Sequence, residues 1–431
     1  MPAMDFRELV SFLRQQDTLV EISREVSPEY EIATLMKQLD GTPLLFSNVQ
    51  GHEMPVVANI SSTRELVAAG LEIAPGDIIH AIGDAIDTPE EPEGSASVAY
   101  EELDSLDDLP ILTYYRSDGG PYIASAVVVA DDPEYGRNAS YHRMMKVSKD
   151  RLVLRILPRD FHAYLERGLD EFAICIGNPM SVLIAAAISA GREVSELAIA
   201  NALQKTSLVD VDGHMVPPAE VVMIAEMTGE MHDEGPFLDL TETPDIVRRQ
   251  PVARVKRVYT RPAGFFHGLL PGGLEHKTLM GMPREPTIYR EVGTVCDVQD
   301  VYITPGGCSW LHGAVSINKQ HEDDGRKAIE AAFRGHSSMK HVFVVDDDID
   351  IHDSEQIEWA MATRFQGDRD LVTRHEKGSS LDPSSDLDTR ETTKLGFDLT
   401  IPAGRDKKHF VKEPLPLDID PEDYLPDGCM P

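Results

Sequence analysis

The chain has 431 residues, with 40 Lys and Arg against 74 Asp and Glu, a formal net charge of −34 and an apolar share of 42%. That length and apolar content suit two or three domains around hydrophobic cores, not a disordered chain. So acidic a surface repels phosphate backbones and anionic lipids, which argues against nucleic-acid or membrane partners and is one expected adaptation to a salty cytoplasm.

The opening MPAMDFRELV has two acidic residues and no apolar h-region, so no secretory signal is expected and the protein reads as cytoplasmic. Apolar residues at 6, 9, 10 and 13 predict a helix over 6–14, and 30–39 repeats the pattern. Short strands are expected at 44–46 and 56–57, then a Pro/Glu/Gly linker over 87–96. These make an N-terminal α/β region, residues 1–110. Over 111–300 the β signal rises at 124–130, 151–156 and 252–259, with helical patterns at 160–167, 180–189 and 195–204. A mixed sheet or β-barrel with inserted helices follows. The most apolar stretch, 172–191, holds Asn178 and Pro179 and reads as a buried strand and core helix, not a membrane span. Over 301–412, strands at 315–317 and 341–345 alternate with helices at 325–333 and 354–364, the order of a small α/β layer. The Pro- and Asp-rich residues 413–431 read as an extended tail. Cys175, Cys296, Cys308 and Cys429 show no CxxC spacing and read as reduced thiols.

Several constellations could carry chemistry. Asn138 and Arg143, in NASYHR, could supply a metal-coordinating carbonyl and a guanidinium for a carboxylate or phosphate; an ordinary Asx-capped turn is the alternative. Glu234 and Asp239 flank a Gly-Pro turn, which can point two carboxylates into one cleft and split their acidities. Phe237 and Pro236 give that turn an apolar wall that a solvated one does not need. Glu196 opens an apolar helix, either as a dipole-stabilised first-turn acid or as a metal ligand. Lys394 beside a small-residue turn could neutralise a phosphate or lie on the surface. Asp346–Asp350, where a buried strand ends, could bind Mg2+ or cap a helix. Finally, nine basic residues between Arg248 and Arg290 face only Glu275 and Glu285. That suggests an anion pocket, with His267 and His276 as further donors, or internal salt bridges to the acidic remainder.

In order and spacing, NASYHR (138–143), SELAIANAL (195–203), PAEVVMIAEM to EGPFLD (218–239), PGGCSWLHGAVSINKQ (305–320), VFVVDDDIDIHDSEQIEWAMATR (342–364) and TKLGFDLT (393–400) resemble the UbiD family of prenylated-FMN-dependent decarboxylases. The resemblance implies an α/β (α+β) protein: an N-terminal α/β region, a central split β-barrel that binds the flavin, and a C-terminal α/β oligomerisation domain. It implies Asn138, Glu196 and, in place of the family histidine, Asp160 (or His162) as ligands of Mn2+ or Mg2+, with K+ as a further ion. Lys394 falls on the lysine that supports the cofactor phosphate, and Arg143 also contacts the cofactor. Glu234, Arg143 and Asp239 fall on the acid–arginine–acid network, one acid delivering the proton that replaces CO2. The stretch 265–286 is similar to the short archaeal group that converts trans-anhydromevalonate 5-phosphate to isopentenyl phosphate in the mevalonate route. A phosphorylated unsaturated acid is then the partner, with His267, His276 and Lys277 as candidates for its phosphate. A flavin prenyltransferase would supply the cofactor, and the chain would form a dimer or hexamer. An aromatic acid decarboxylase, a metal-dependent phosphohydrolase and a non-catalytic assembly protein stay open.

Overall fold

The computed structural model describes residues 4–413, apart from 93, 95, 192 and 387, together with 416 and 417. Nearly all of the expected tail, 413–431, lies outside the described residues. The first helix, Phe6–Gln15, starts where Asp5 and Glu8 cap each other's backbone, and it buries Phe6, Leu9, Val10 and Leu13. These are the residues whose spacing predicts it. Three further helices, Glu31–Gln38, Arg64–Leu71 and Ile78–Asp87, complete the N-terminal region. Its four-stranded sheet runs Val20–Ile22, Leu44–Phe46, Val56–Ala58 and Phe266–Gly268. The last strand comes from far along the chain and pairs parallel with Val56–Ala58. The polypeptide therefore returns to the N-terminal sheet just before the helix Leu274–Gly281.

The central sheet has nine strands among the described residues, built around one long antiparallel hairpin, Val221–Glu234 with Arg248–Thr260. On one side of that hairpin lie Arg151–Leu154, Met144–Ser148 and Tyr122–Ile123; on the other, Glu171–Ile176, Val127–Asp132 and Gly136–Tyr141; the ninth strand, Glu101–Leu103, pairs with the end of Arg248–Thr260. The sheet ends at Tyr122–Ile123 and Gly136–Tyr141, so it does not close into the expected split barrel. The strand Glu171–Ile176 gives the physical reason. It is apolar at nearly every position: Phe172, Ile174 and Ile176 join one core, while Ala173 and Cys175 join another. A sheet with an apolar core on each face reads as an unbroken apolar run and needs no closure to bury itself. The outer edge at Ala139 is met by a side chain, since its N–H donates to the Glu196 carboxylate at 2.9 Å.

The C-terminal sheet has the order Val298–Ile303, His312–Ile317, His341–Asp346, Glu391–Asp398 and Leu371–Lys377, parallel through the middle three. Helices Asp324–Gly335 and Ser354–Arg364 belong to this layer, as strand–helix alternation predicts. Gly396 allows the closest helix contact: a Cβ there would sit 2.1 Å from Ile329 Cγ2. Overall the protein is a mixed α/β (α+β) fold. Among the described residues no single helix is long and apolar enough to cross a membrane.

Candidate active site

The antiparallel hairpin places Glu234 at the end of its strand, opposite Arg248, immediately before the turn Gly235–Pro236. Phe237 turns into the core behind it, as the apolar character of that turn predicts. Arg143 sits between the strands Gly136–Tyr141 and Met144–Ser148 and reaches across to this turn. Its Nε and Nη2 donate to the two oxygens of Glu234 at 2.9 and 3.1 Å, and its Nη1 donates to Asp239 at 3.0 Å. Nη2 also donates to Asp245 at 2.9 Å. The guanidinium lies over the Phe237 ring, 4.5 Å from its centroid. Glu234 is fully buried and takes a third hydrogen bond, from the Tyr122 hydroxyl at 3.0 Å.

Three carboxylates on one guanidinium fix the electrostatics of this hub. Burial opposes the charge on Arg143, but the bonds to Glu234 outweigh it and raise its pKa, so the cation is permanent. Asp245 is held below the usual carboxylate range: burial opposes this, but Arg248, at 2.5 Å, and Arg143 win. Tyr122 is pushed well above its ordinary value by burial and then by Glu234, so it remains a donor. His276 also faces the hub. Burial lowers its pKa although Asp239 works against this, and Gly272 N–H donates to its Nδ1 at 3.1 Å. The ring is therefore neutral with its proton on Nε2. Gly119 packs against the same turn, where a Cβ would lie 2.2 Å from the Gly235 carbonyl oxygen.

A second cluster lies at the free edge of the central sheet. Glu196 opens the helix Glu196–Leu203 and accepts from Asn138 Nδ2 at 3.0 Å as well as from Ala139 N–H. Asn138 Oδ1 accepts from Ser140 Oγ at 2.9 Å. Burial pushes Glu196 up to about 7 against these bonds, and Asp160 adds to the rise. The structure thus groups Asn138, Glu196 and Asp160, while His162 pairs with Glu166 at 3.5 Å on the next turn. No group of three or more His, Cys, Asp or Glu stands out as a metal cage among the described residues. The set here is two carboxylates and an amide, oxygen donors of the type that hard divalent cations take. A buried carboxyl whose charge is so disfavoured, with no cation paired to it among the described residues, fits such an ion.

The other candidates are engaged elsewhere. Lys394 is buried in the C-terminal sheet, with its ammonium on the Ser337 carbonyl at 2.5 Å and on Glu376 at 3.0 Å. The Asp346–Asp350 run is tied to the buried Arg364, with Asp348 bidentate at 2.9 and 2.6 Å. His267 is buried between Phe6 and Glu275, and Lys277 bonds Glu242 at 2.5 Å. Of the nine basic residues between 248 and 290, eight pair with a carboxylate: Arg248 with Asp245, Arg249 with Asp233, Arg254 with Glu226, Lys256 with Glu171, Arg257 with Asp212, Arg261 with Asp5, Lys277 with Glu242 and Arg290 with Asp87. The salt-bridge alternative for this segment is therefore the one the fold adopts, and the segment as a whole is no anion pocket. Tyr122 and Asp245 join the hub without any mark in the sequence. Neither SDGGPYIAS nor TETPDIV carries a signal beyond a turn.

Family models match the whole length of the fold. The N-terminal, Rift-related and C-terminal domains of 3-octaprenyl-4-hydroxybenzoate carboxy-lyase match residues 10–86, 90–274 and 277–399. The anhydromevalonate phosphate decarboxylase of Methanothermobacter thermautotrophicus is 42% identical over 405 residues, covering 90% of this chain and 95% of that protein. Its namesake from Methanocaldococcus jannaschii is 42% identical over 407 residues, again 90% and 95%. Among solved structures, the UbiD-class enzyme HmfF from Pelotomaculum thermopropionicum in complex with FMN superposes with a TM-score of 0.91 at 36% identity, covering 97% of this chain and 100% of that one. The 3,4-dihydroxybenzoic acid decarboxylase of Enterobacter cloacae gives 0.88 at 25% identity, covering 98% and 99%. With all three domain models in order and two-fifths identity over nine-tenths of its length, this chain belongs to the UbiD family of carboxy-lyases.

Proposed function

We propose that the protein decarboxylates trans-anhydromevalonate 5-phosphate to isopentenyl phosphate, with prenylated FMN and a divalent cation, Mn2+ or Mg2+, bound between Asn138, Asp160 and Glu196. The observation that carries this reading is the buried Glu234–Arg143–Asp239 hub in a chain 42% identical to archaeal anhydromevalonate phosphate decarboxylases. The likeness to structures holding FMN and prenylated FMN supports the cofactor. The metal ligands would hold its phosphate end, with K+ as a further ion; Lys394 would join them only by giving up its bonds to Ser337 and Glu376.

When bound, the modified flavin supplies the electron sink for the departing CO2. The chain's own residues orient the acid and move a proton. Arg143 spends four of its N–H bonds on Glu234, Asp239 and Asp245, which leaves one donor on Nη1 for the substrate carboxylate. Glu234 or Asp239, as the carboxylic acid, gives its proton to the carbon that loses CO2, and with the electron pair that the bound cofactor would hand back to that carbon a C–H bond replaces C–CO2. Phe237 and Tyr122 keep water from Glu234.

A flavin prenyltransferase would furnish the cofactor, and the protein would act as a cytoplasmic homo-oligomer. A dimeric form of the evolved HmfF supports a dimer as the simplest assembly. The test is decarboxylation of anhydromevalonate phosphate by protein co-expressed with a flavin prenyltransferase. Turnover of a hydroxybenzoate with none of the phosphorylated acid would overturn the substrate.

A further inference from the structure

Arg143 meets three carboxylates, and the third, Asp245, has no part in the chemistry proposed so far. After Glu234 the chain makes a small hairpin. Phe237–Leu238 pairs antiparallel with Pro244–Asp245, Phe237 opposite Asp245, and the Glu242 N–H donates to the Asp239 carbonyl at 2.8 Å to close the turn. The return brings Asp245 back beside the ring on which the Arg143 guanidinium lies. Three residues on, Arg248 stands opposite Glu234 in the long hairpin and reaches Asp245 at 2.5 Å. Asp245 Oδ2 therefore accepts from both Arg143 Nη2 and Arg248 Nη1, while its Oδ1 takes the Ile246 N–H at 2.9 Å.

A carboxyl beside a permanent cation ordinarily ionises, yet the proposed step needs one that holds a proton. The geometry supplies a competitor for the cation. Nη2 of Arg143 donates to Glu234 at 3.1 Å and to Asp245 at 2.9 Å, so the two carboxylates share one nitrogen. An anion on a guanidinium weakens its hold on the next carboxylate, because like charges a few ångströms apart oppose each other's ionisation. Asp245 is the one that stays ionised in this contest, since of the three it alone bonds a second guanidinium among the described residues. The other charged or titratable groups facing the hub are Tyr122, Asp118 in the loop before it, Arg155 just after the strand Arg151–Leu154, and His276 and Lys277 on the helix Leu274–Gly281. None of these hydrogen-bonds Asp245.

We propose that Asp245, anchored by Arg248, is a positioning residue for the proton. By occupying Arg143 it keeps part of that charge from Glu234 and Asp239, so that one of these two retains the proton delivered to the substrate carbon. The assignment rests on the decarboxylation proposed above and adds to it the device that keeps a carboxyl protonated next to an arginine.

The test is kcat against pH for anhydromevalonate phosphate on cofactor-loaded protein, corrected for flavin occupancy, together with an infrared titration that needs no turnover. Asp245→Asn removes the competing anion, so Glu234 and Asp239 ionise more readily and the alkaline limb of the profile moves down by about one pH unit. Arg248→Gln leaves the Asp245 charge uncompensated except by Arg143 and moves the limb up. Asp245→Glu restores the wild-type limb. A merely structural Asp245 would lower kcat at every pH and leave the limb in place, and that result overturns the assignment, as does an upward shift. Should Asp245→Asn fail to fold, the half-buried Arg248→Gln carries the test by its sign, and an unmoved or downward limb overturns it. In the infrared titration, the carboxyl C=O band that Glu234→Gln or Asp239→Asn removes shifts its midpoint in the same directions. Wild-type protein that decarboxylates neither anhydromevalonate phosphate nor 4-hydroxybenzoate refutes the proposed function, while the infrared shifts still decide the role of Asp245. A band with one midpoint in wild type, Asp245→Asn and Arg248→Gln overturns that role.

Discussion

Replacing Glu234 by Gln tests the proposed acid–base role with little change in shape. The wild-type carboxylate accepts three hydrogen bonds, two from Arg143 and one from Tyr122, with no exposure to solvent. The amide keeps one acceptor oxygen and turns an NH2 toward a guanidinium donor, so one bond to a charged group is lost outright, worth about 1.5–3 kcal/mol. Breaking a buried ion pair costs about 3–5 kcal/mol when it strands a charge. Here Asp239 and Asp245 still neutralise Arg143, which puts the stability loss at the lower figure and leaves the protein folded. Turnover should suffer more. Loss of a general acid or base costs about 10²- to 10⁴-fold, or about 3–5.5 kcal/mol of barrier. The assay is product formation from anhydromevalonate phosphate by cofactor-loaded protein, with flavin occupancy read from absorbance on the same sample. Full occupancy and a kcat at least about a hundredfold lower is the expected pairing. A kcat within about threefold of wild type, with flavin bound, would refute the assignment; loss of the flavin itself would show that Glu234 anchors the cofactor instead.

Other perturbations separate the two clusters. Glu196→Gln removes the carboxylate proposed to bind the cation, so metal content and flavin retention should both fall in the purified protein; unchanged occupancy by elemental analysis and absorbance contradicts the role. Tyr122→Phe deletes one of the three bonds that hold Glu234 and should lower kcat about tenfold without changing flavin content, and an unaffected rate would make Tyr122 mere packing. His336 predicts a pH effect on stability: its folded value of about 3 lies below the ordinary 6.5, so between those values the unfolded chain binds the extra proton. That group's contribution is complete above pH 6.5 and is lost as pH falls toward 3, the loss reaching about 2 kcal/mol at pH 5. His336→Gln should therefore flatten the fall in Tm between pH 7 and pH 5, and an unchanged slope refutes this.

Much of the site was legible because chemistry and local pattern coincide in short motifs. NASYHR and EGPFLD each pair reactive groups with an apolar wall, and the fold joins them through Arg143. The first helix was legible for a simpler reason, since Phe6, Leu9, Val10 and Leu13 share one face. The basic segment was misleading. Counting charge along the chain sees nine cations against two carboxylates over 248–290, but the strand Arg248–Thr260 lies against Val221–Glu234, and partners such as Glu226 and Glu171 sit across the sheet. Pairing between strands is a long-range fact that composition does not hold. Asp245 and Tyr122 escaped notice for the same reason, because their importance comes only from what Arg143 and Glu234 bring to them. The sequence left a mixed sheet and a barrel both open, because alternation and apolar runs give strands but not whether their ends meet.

The most direct test of the account is a paired assay on one cofactor-loaded preparation, with anhydromevalonate phosphate in one arm and 4-hydroxybenzoate in the other. The account predicts release of CO2 and isopentenyl phosphate in the first arm and none in the second. Decarboxylation of the hydroxybenzoate alone would contradict it.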